Sequence, residues 1–172
     1  MLKTTIIIAT IAATLTPALA LDIPSCDVFR QRFENAPRFL SLWKVGPTNF
    51  SREPQEPNGD DLYSFDDSDS KTETDLTCRN GKFFSLEMMF HAFDSSLPWP
   101  HPYFDYIASG IYGFTGWPAD KVIKTTTDIW NIKLRMRPES ELLSENKPTY
   151  QLIDLPGLCA TISKGMFTIG EC

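Results

Sequence analysis

Four cysteines, Cys26, Cys78, Cys159 and Cys172, and two histidines, His91 and His101, carry the widest chemical repertoire in this chain. The cysteines are far apart and form no C-x-x-C pair. Zinc knuckles and thioredoxin-type redox pairs both need that short spacing. An even number of widely spaced cysteines reads instead as two disulfides, and the connectivity we favour is Cys26–Cys78 with Cys159–Cys172. Pairing removes the thiolate on which cysteine nucleophilicity depends, so cysteine catalysis is not expected.

Carboxylates offer the next chemistry. Two of them at the right separation suffice for glycoside hydrolysis, and Glu87 and Asp105, near the aromatic part of the chain, are the candidates. His101 is a further polar group there. Asp67-x-Asp69-x-Lys71 begins like a calcium loop but puts a lysine at the third ligand position and lacks the following glycine. No metal site is therefore expected. The sequence contains no G-x-S-x-G, H-E-x-x-H, P-loop or G-x-G-x-x-G, and Gly110-x-x-Gly113-x-x-Gly116 has the wrong spacing for a dinucleotide loop. No cofactor is expected.

Residues 93–117 hold eight of the 21 aromatic rings, and "LPWPHPYFDY" stiffens several of them with proline. Trp99, His101, Tyr103 and Trp117 are the residues we single out as binding anchors. The plainer reading of these rings is that they fill a core.

The elements that must position these residues begin after a leader-like segment. "MLKTTIIIATIAATLTPALA" has a positive start at Lys3, a short apolar run from Ile6 to Leu15, a proline break and a small-x-small ending at Ala18-Leu19-Ala20. It reads as a secretory signal over residues 1–20, cleaved after Ala20, with a single domain over residues 21–172. Cys26 lies too far from that cleavage point for a lipid anchor. Loss of Lys3 leaves 15 bases against 22 acids, a net charge of about −7. Nucleic acid and anionic lipid are poor partners for so acidic a chain, while a basic protein is a suitable one. No later segment is apolar enough to span a bilayer, so a soluble mature chain is expected, in the periplasm or secreted.

"SCDVFRQRFENA" predicts a helix capped by Ser25, with Cys26, Phe29 and Phe33 on one face and Pro37 as its stop. "FLSLWKV" reads as a strand. Residues 52–75 carry nine acids with Pro54, Pro57 and Gly59, and read as a solvated loop-rich insertion with a brief strand at "LYSF". Asn80-Gly81 marks a hairpin. A two-residue loop there mixes the faces, so we expect a three-residue loop that pairs Leu76 with Phe84 and Thr74 with Leu86.

Tyr103, Ile107, Ile111 and Phe114 recur at helical spacing, and Pro118 opens a second short helix through Ile123. Gly110, Gly113 and Gly116 lower the stability of that helix and suggest close packing or a frayed end. "IWNIKLRMR" alternates and reads as a half-buried strand, whereas "PESELLSENKP" reads as a loop. "LCATIS-KG-MFTIGEC" predicts a closing hairpin with Ile162 opposite Phe167 and Ala160 opposite Ile169.

The expected fold is α+β: a mainly antiparallel sheet of about five to seven strands, covered by short helices and stapled by two disulfides. The expected function is an exported, non-catalytic binding module, of the inhibitor or immunity type, that meets a basic protein through its acidic surface. Two alternatives are a small exported hydrolase built near residues 93–117, and a subunit of a cell-envelope assembly. The last requires an exposed apolar patch around Trp99 and Trp117.

Overall fold

The computed structural model of the chain describes residues 22–40, 50–55, 57–67, 72–90, 103–135, 149–151, 157–163 and 166–171. Ser25 caps the first helix, α1 (Cys26–Glu34), by accepting the Val28 N–H on its side-chain oxygen. Cys26, Phe29 and Phe33 form the buried face of α1, as their spacing predicts.

Asn80 and Gly81 take positive φ values of 53° and 73°, the paired left-handed geometry of a two-residue hairpin turn. They join β3 (Thr72–Arg79) to β4 (Lys82–Phe90), with Arg79 opposite Lys82 and Cys78 opposite Phe83. The register then shifts between Thr77 and Cys78, so that Thr77 faces Ser85 and Leu76 faces Leu86. The expected pairing of Leu76 with Phe84 and Thr74 with Leu86 is thereby corrected. The turn is the two-residue form, and a bulge at Phe84 removes the mixing of faces that argues against it. Phe83 before the bulge and Leu86, Met88 and Phe90 after it are all buried.

The segment expected to be a solvated insertion is mostly sheet. It supplies β1 (Ser51–Arg52), β2 (Asp61–Asp67) and the first half of β3. Its composition is misleading because the period is 2: exposed Glu73 and Asp75 alternate with buried Thr72, Thr74 and Leu76. Among the described residues of this segment, 53–55 and 57–60 lie outside the strands.

β5 (Thr149–Gln151), β6 (Leu158–Ser163) and β7 (Met166–Glu171) form a second antiparallel meander, and β7 pairs with β4 to join the two. The result is one seven-stranded antiparallel sheet in the order β1-β2-β3-β4-β7-β6-β5. The predicted register of the closing hairpin is observed: Ile162 faces Phe167 and Ala160 faces Ile169. One inner rung runs Tyr63, Leu76, Leu86, Ile169, Ala160 across five strands.

Between the meanders the chain forms α2 (Phe104–Thr115) and α3 (Ala119–Arg135). Every residue from Phe104 to Ile111 is buried, polar Asp105 and Ser109 included, so α2 occupies the core. Gly110 lets it approach the sheet, since a Cβ there would come within 2.9 Å of Leu86 and 3.0 Å of Met88. Gly113 gives way to the Phe29 ring of α1 in the same manner, at 2.9 Å.

Of the strand expected over residues 129–137, residues 129–135 are the last turns of α3, and 136–137 lie outside the described residues. Four alternating residues also satisfy a helix, and the buried stripe Val122, Thr126 and Ile129 extends the helical period up to them. Residues 41–45 of the expected "FLSLWKV" strand, and 138–148 of the expected loop, lie outside the described residues. Phe39 and Leu40 are bends rather than strand.

Of the two expected disulfides one lies among the described residues; the other involves Cys172, which lies outside them. The first joins Cys26 to Cys78 with a Cα–Cα distance of 5.9 Å. The bridge fixes the start of α1 to β3, reinforced by the Cys26 N–H donating to Gly81 O and the Phe83 N–H to Pro24 O. Cys159 lies on β6 opposite Gly170, and Cys172 lies outside the described residues.

Candidate functional site

Trp99 and His101 lie outside the described residues. Tyr103 is buried at the start of α2, and its ring stacks on Phe90 with centroids 4.3 Å apart and planes 18° apart. The ring fills the core instead of standing at a surface. Trp117 is different. It follows Gly116, the left-handed cap of α2, and packs only partly against the core. The Trp117 N–H donates to Thr115 Oγ1, and the Lys121 ammonium sits 3.6 Å from its ring centroid. The indole is thus held at the junction of α2 and α3.

The two carboxylates with hydrolytic potential do not meet. Leu86 and Met88 point toward Gly110 of α2, so Glu87 between them projects from the opposite face of the sheet. Asp105 belongs to α2, is only 2 % exposed and accepts the Leu40 N–H on Oδ1 at 3.2 Å. Its place in the first turn of the helix also suits a negative charge. The sheet therefore stands between Glu87 and Asp105, and the acid–base pair that glycoside hydrolysis requires is not formed by them.

The face that carries Glu87 has its own pattern. Its central rung runs Ser64, Asp75, Glu87, Thr168, Thr161, every member polar, across β2, β3, β4, β7 and β6. Asp75 and Glu87 are directly opposed, a like-charge register that disfavours the sheet by itself. Glu73 and Asp75 are exposed and Glu87 is half-buried, while Met89 and Met166 pair in the next rung. This is a polar, acidic platform on rigid strands, with two thioethers beside the acids.

A second feature lies at the other side of the molecule, around Trp117. A cleft of about 420 Å³ separates the first turns of α1 from the α2–α3 junction. Ser25, Val28 and Arg32 line one wall, Phe114 and Trp117 the other, and Asp22 stands at the approach. Arg32 Nη1 donates to the Phe114 carbonyl at 3.3 Å, and its guanidinium lies so close to Gly116 that a Cβ there would meet Cζ at 2.9 Å. The sequence reading misses this wall because its residues are far apart in the chain. One signal for it exists: Val28 is an apolar residue on the side of α1 away from the Phe29–Phe33 stripe, and it is 37 % exposed.

Elsewhere charge is used structurally. Arg79 grips the buried Asp60 carboxylate and lays its guanidinium 3.6 Å from the Phe84 ring centroid. The hydrogen bond from Arg79 holds Asp60 below its ordinary value of 3.8, against the opposing effect of burial. The hydrogen bond that Arg52 donates to the Asp61 carboxylate likewise raises the Arg52 pKa. Among the described residues no group of three or more His, Cys, Asp or Glu side chains is placed to hold a metal ion. The chain matches no family model, and no curated protein or solved structure shows significant similarity to it.

Proposed function

We propose that this protein is an exported, disulfide-stabilised, non-catalytic binding module that engages a basic protein partner through the acidic face of its sheet. The observation that carries the reading is the division of that sheet. Its inner face is buried, with Leu86 and Met88 beneath Gly110 of α2, whereas its outer rung aligns Asp75 with Glu87 and sets exposed Glu73 beside them. Carboxylates held along one rung of a sheet give that face a negative potential, which attracts a surface of opposite charge. A lysine- or arginine-rich surface is complementary to it, and Met89 and Met166 offer adaptable apolar contact beside the acids.

Export rests on the leader-like residues 1–20, with cleavage after Ala20, and is supported by the buried Cys26–Cys78 bridge, since disulfides persist in oxidising compartments. No helix among the described residues is long and apolar enough to cross a membrane. The reading includes a second bridge between Cys159 and Cys172. Cys159 faces Gly170 on β7, two positions before Cys172 in the sequence.

The experiment is capture from the exported fraction of the native host on the immobilised, oxidised protein. A basic protein retained at low salt and released as salt rises supports the reading, because screening weakens attraction between exposed charges. Absence of any salt-sensitive basic protein from that fraction overturns it.

A further inference from the structure

The cleft beside Trp117 differs in chemistry from the acidic sheet face, and a ligand held there is independent of any partner bound to that face. Its volume of about 420 Å³ falls in the range of small-molecule sites, roughly 300–1,000 Å³. Its lining combines opposite charges with apolar surface. Arg30, Arg52 and Arg79 each face a carboxylate, whereas Arg32 makes no ion pair among the described residues and spends one donor on the Phe114 carbonyl. A guanidinium carries five N–H donors in a rigid fork, so Arg32 retains the donors for a two-pronged bond to a carboxylate. That carbonyl and the close contact with Gly116 fix its position in advance of binding.

Two more lining groups define the rest of the ligand. Ser25 Oγ accepts from the Val28 N–H and keeps its own proton to donate. Asp22 places a negative charge in the same cleft, which repels a simple anion but suits a ligand that also carries an ammonium. Val28, Phe114 and Trp117 provide apolar and aromatic surface between the charges. We propose that this cleft binds a free apolar or aromatic α-amino acid, with its carboxylate on Arg32, its ammonium toward Asp22 and its side chain against Val28, Phe114 and Trp117.

The test uses the full oxidised protein and three matched probes, followed by calorimetry or ligand-observed NMR. L-Phenylalanine is the complete ligand, L-phenylalaninamide lacks the carboxylate and 3-phenylpropionate lacks the ammonium. Saturable binding of L-phenylalanine is expected, with each analogue weaker by about tenfold or more, the size expected for one lost charge-assisted hydrogen-bonding group. Arg32→Gln should weaken L-phenylalanine by a similar factor and leave L-phenylalaninamide unchanged. Asp22→Asn should weaken L-phenylalanine and leave 3-phenylpropionate unchanged.

Arg32 also closes the end of α2, so Arg32→Gln can lower stability. Val28→Trp, a substitution at an exposed position that fills the cleft, gives an independent reading and should abolish binding. The proposal is overturned if L-phenylalanine shows no saturable binding, if the three probes bind alike, or if Val28→Trp binds as the wild type does.

Discussion

Arg79 holds Asp60 with two parallel hydrogen bonds, Nε to Oδ1 at 3.0 Å and Nη2 to Oδ2 at 2.7 Å, and so ties the β1–β2 loop to β3. Asn58 completes the latch by accepting the Asp60 N–H at 2.9 Å. Because Arg79 depresses the folded-state pKa of Asp60 below its unfolded value, the bond stabilises the fold above that unfolded value. The stabilisation is lost as pH falls through the depressed value. Urea midpoints measured at several pH values should show wild type more stable than Asp60→Asn at neutral pH, with the difference shrinking below about pH 4. A constant difference down to strongly acidic pH contradicts this account of the latch.

Gly113 separates two effects that oppose each other. Alanine gains about 1 kcal/mol of helix propensity over glycine. A Cβ at this position, however, meets three ring atoms of the fully buried Phe29 at 2.9 to 3.2 Å. Overpacking of that kind costs about 1–3 kcal/mol. Gly113→Ala should therefore show a net loss of up to about 2 kcal/mol in chemical denaturation, and Phe29→Leu in the same chain should recover part of it. Gain of stability in the single variant excludes tight α1–α2 packing at this point.

Gly81 isolates backbone conformation from packing. Its φ is +73° and nothing lies within 4 Å of a Cβ built there. Gly81→Ala then carries only the left-handed penalty, about 1–2 kcal/mol. Denaturation of this variant should show that loss, with the denaturant slope unchanged. No loss implies a turn other than the two-residue form.

The Cys26–Cys78 bridge spans 52 positions. In the chain-entropy treatment a loop of that size stabilises the fold by about 3–4 kcal/mol. Replacing both cysteines by serine should lower stability by that amount, read from urea unfolding of the oxidised wild type against the variant. A change within experimental error contradicts the view that the bridge anchors α1 to the hairpin.

Local signals in the sequence carry through to the structure where one interaction decides the outcome. The Ser25 cap, the Cys26–Phe29–Phe33 stripe and the closing hairpin register of Ile162 with Phe167 are of this kind. Signals fail where tertiary contacts choose between two periods. Residues 130–135 alternate like a strand yet continue α3, because the Val122–Thr126–Ile129 stripe already fixes the helix against the core. The acids of 52–75 mask a strand pattern in which only alternate positions are apolar or buried.

The Phe84 bulge illustrates a third case, since one extra residue corrects a face mismatch that no pairing rule anticipates. Of the expected binding residues, Tyr103 belongs to the core and Trp117 lines a cleft, while Trp99 and His101 fall outside the described residues. The remaining cleft residues were hidden by their separation in the chain. The outer acidic rung was hidden too, since it exists only once the five strands are in register.

The most direct measurement compares the affinity of the captured basic partner for three forms of the protein at low salt. These are the wild type, the sheet-face variant Glu73→Gln/Asp75→Asn/Glu87→Gln, and the helix control Asp27→Asn/Asp120→Asn/Asp128→Asn, which loses the same formal charge. The account predicts that the sheet-face variant binds at least about tenfold more weakly, while the helix control stays within about threefold of wild type. Equal weakening of both variants, or none in either, would contradict a docking role for the acidic face.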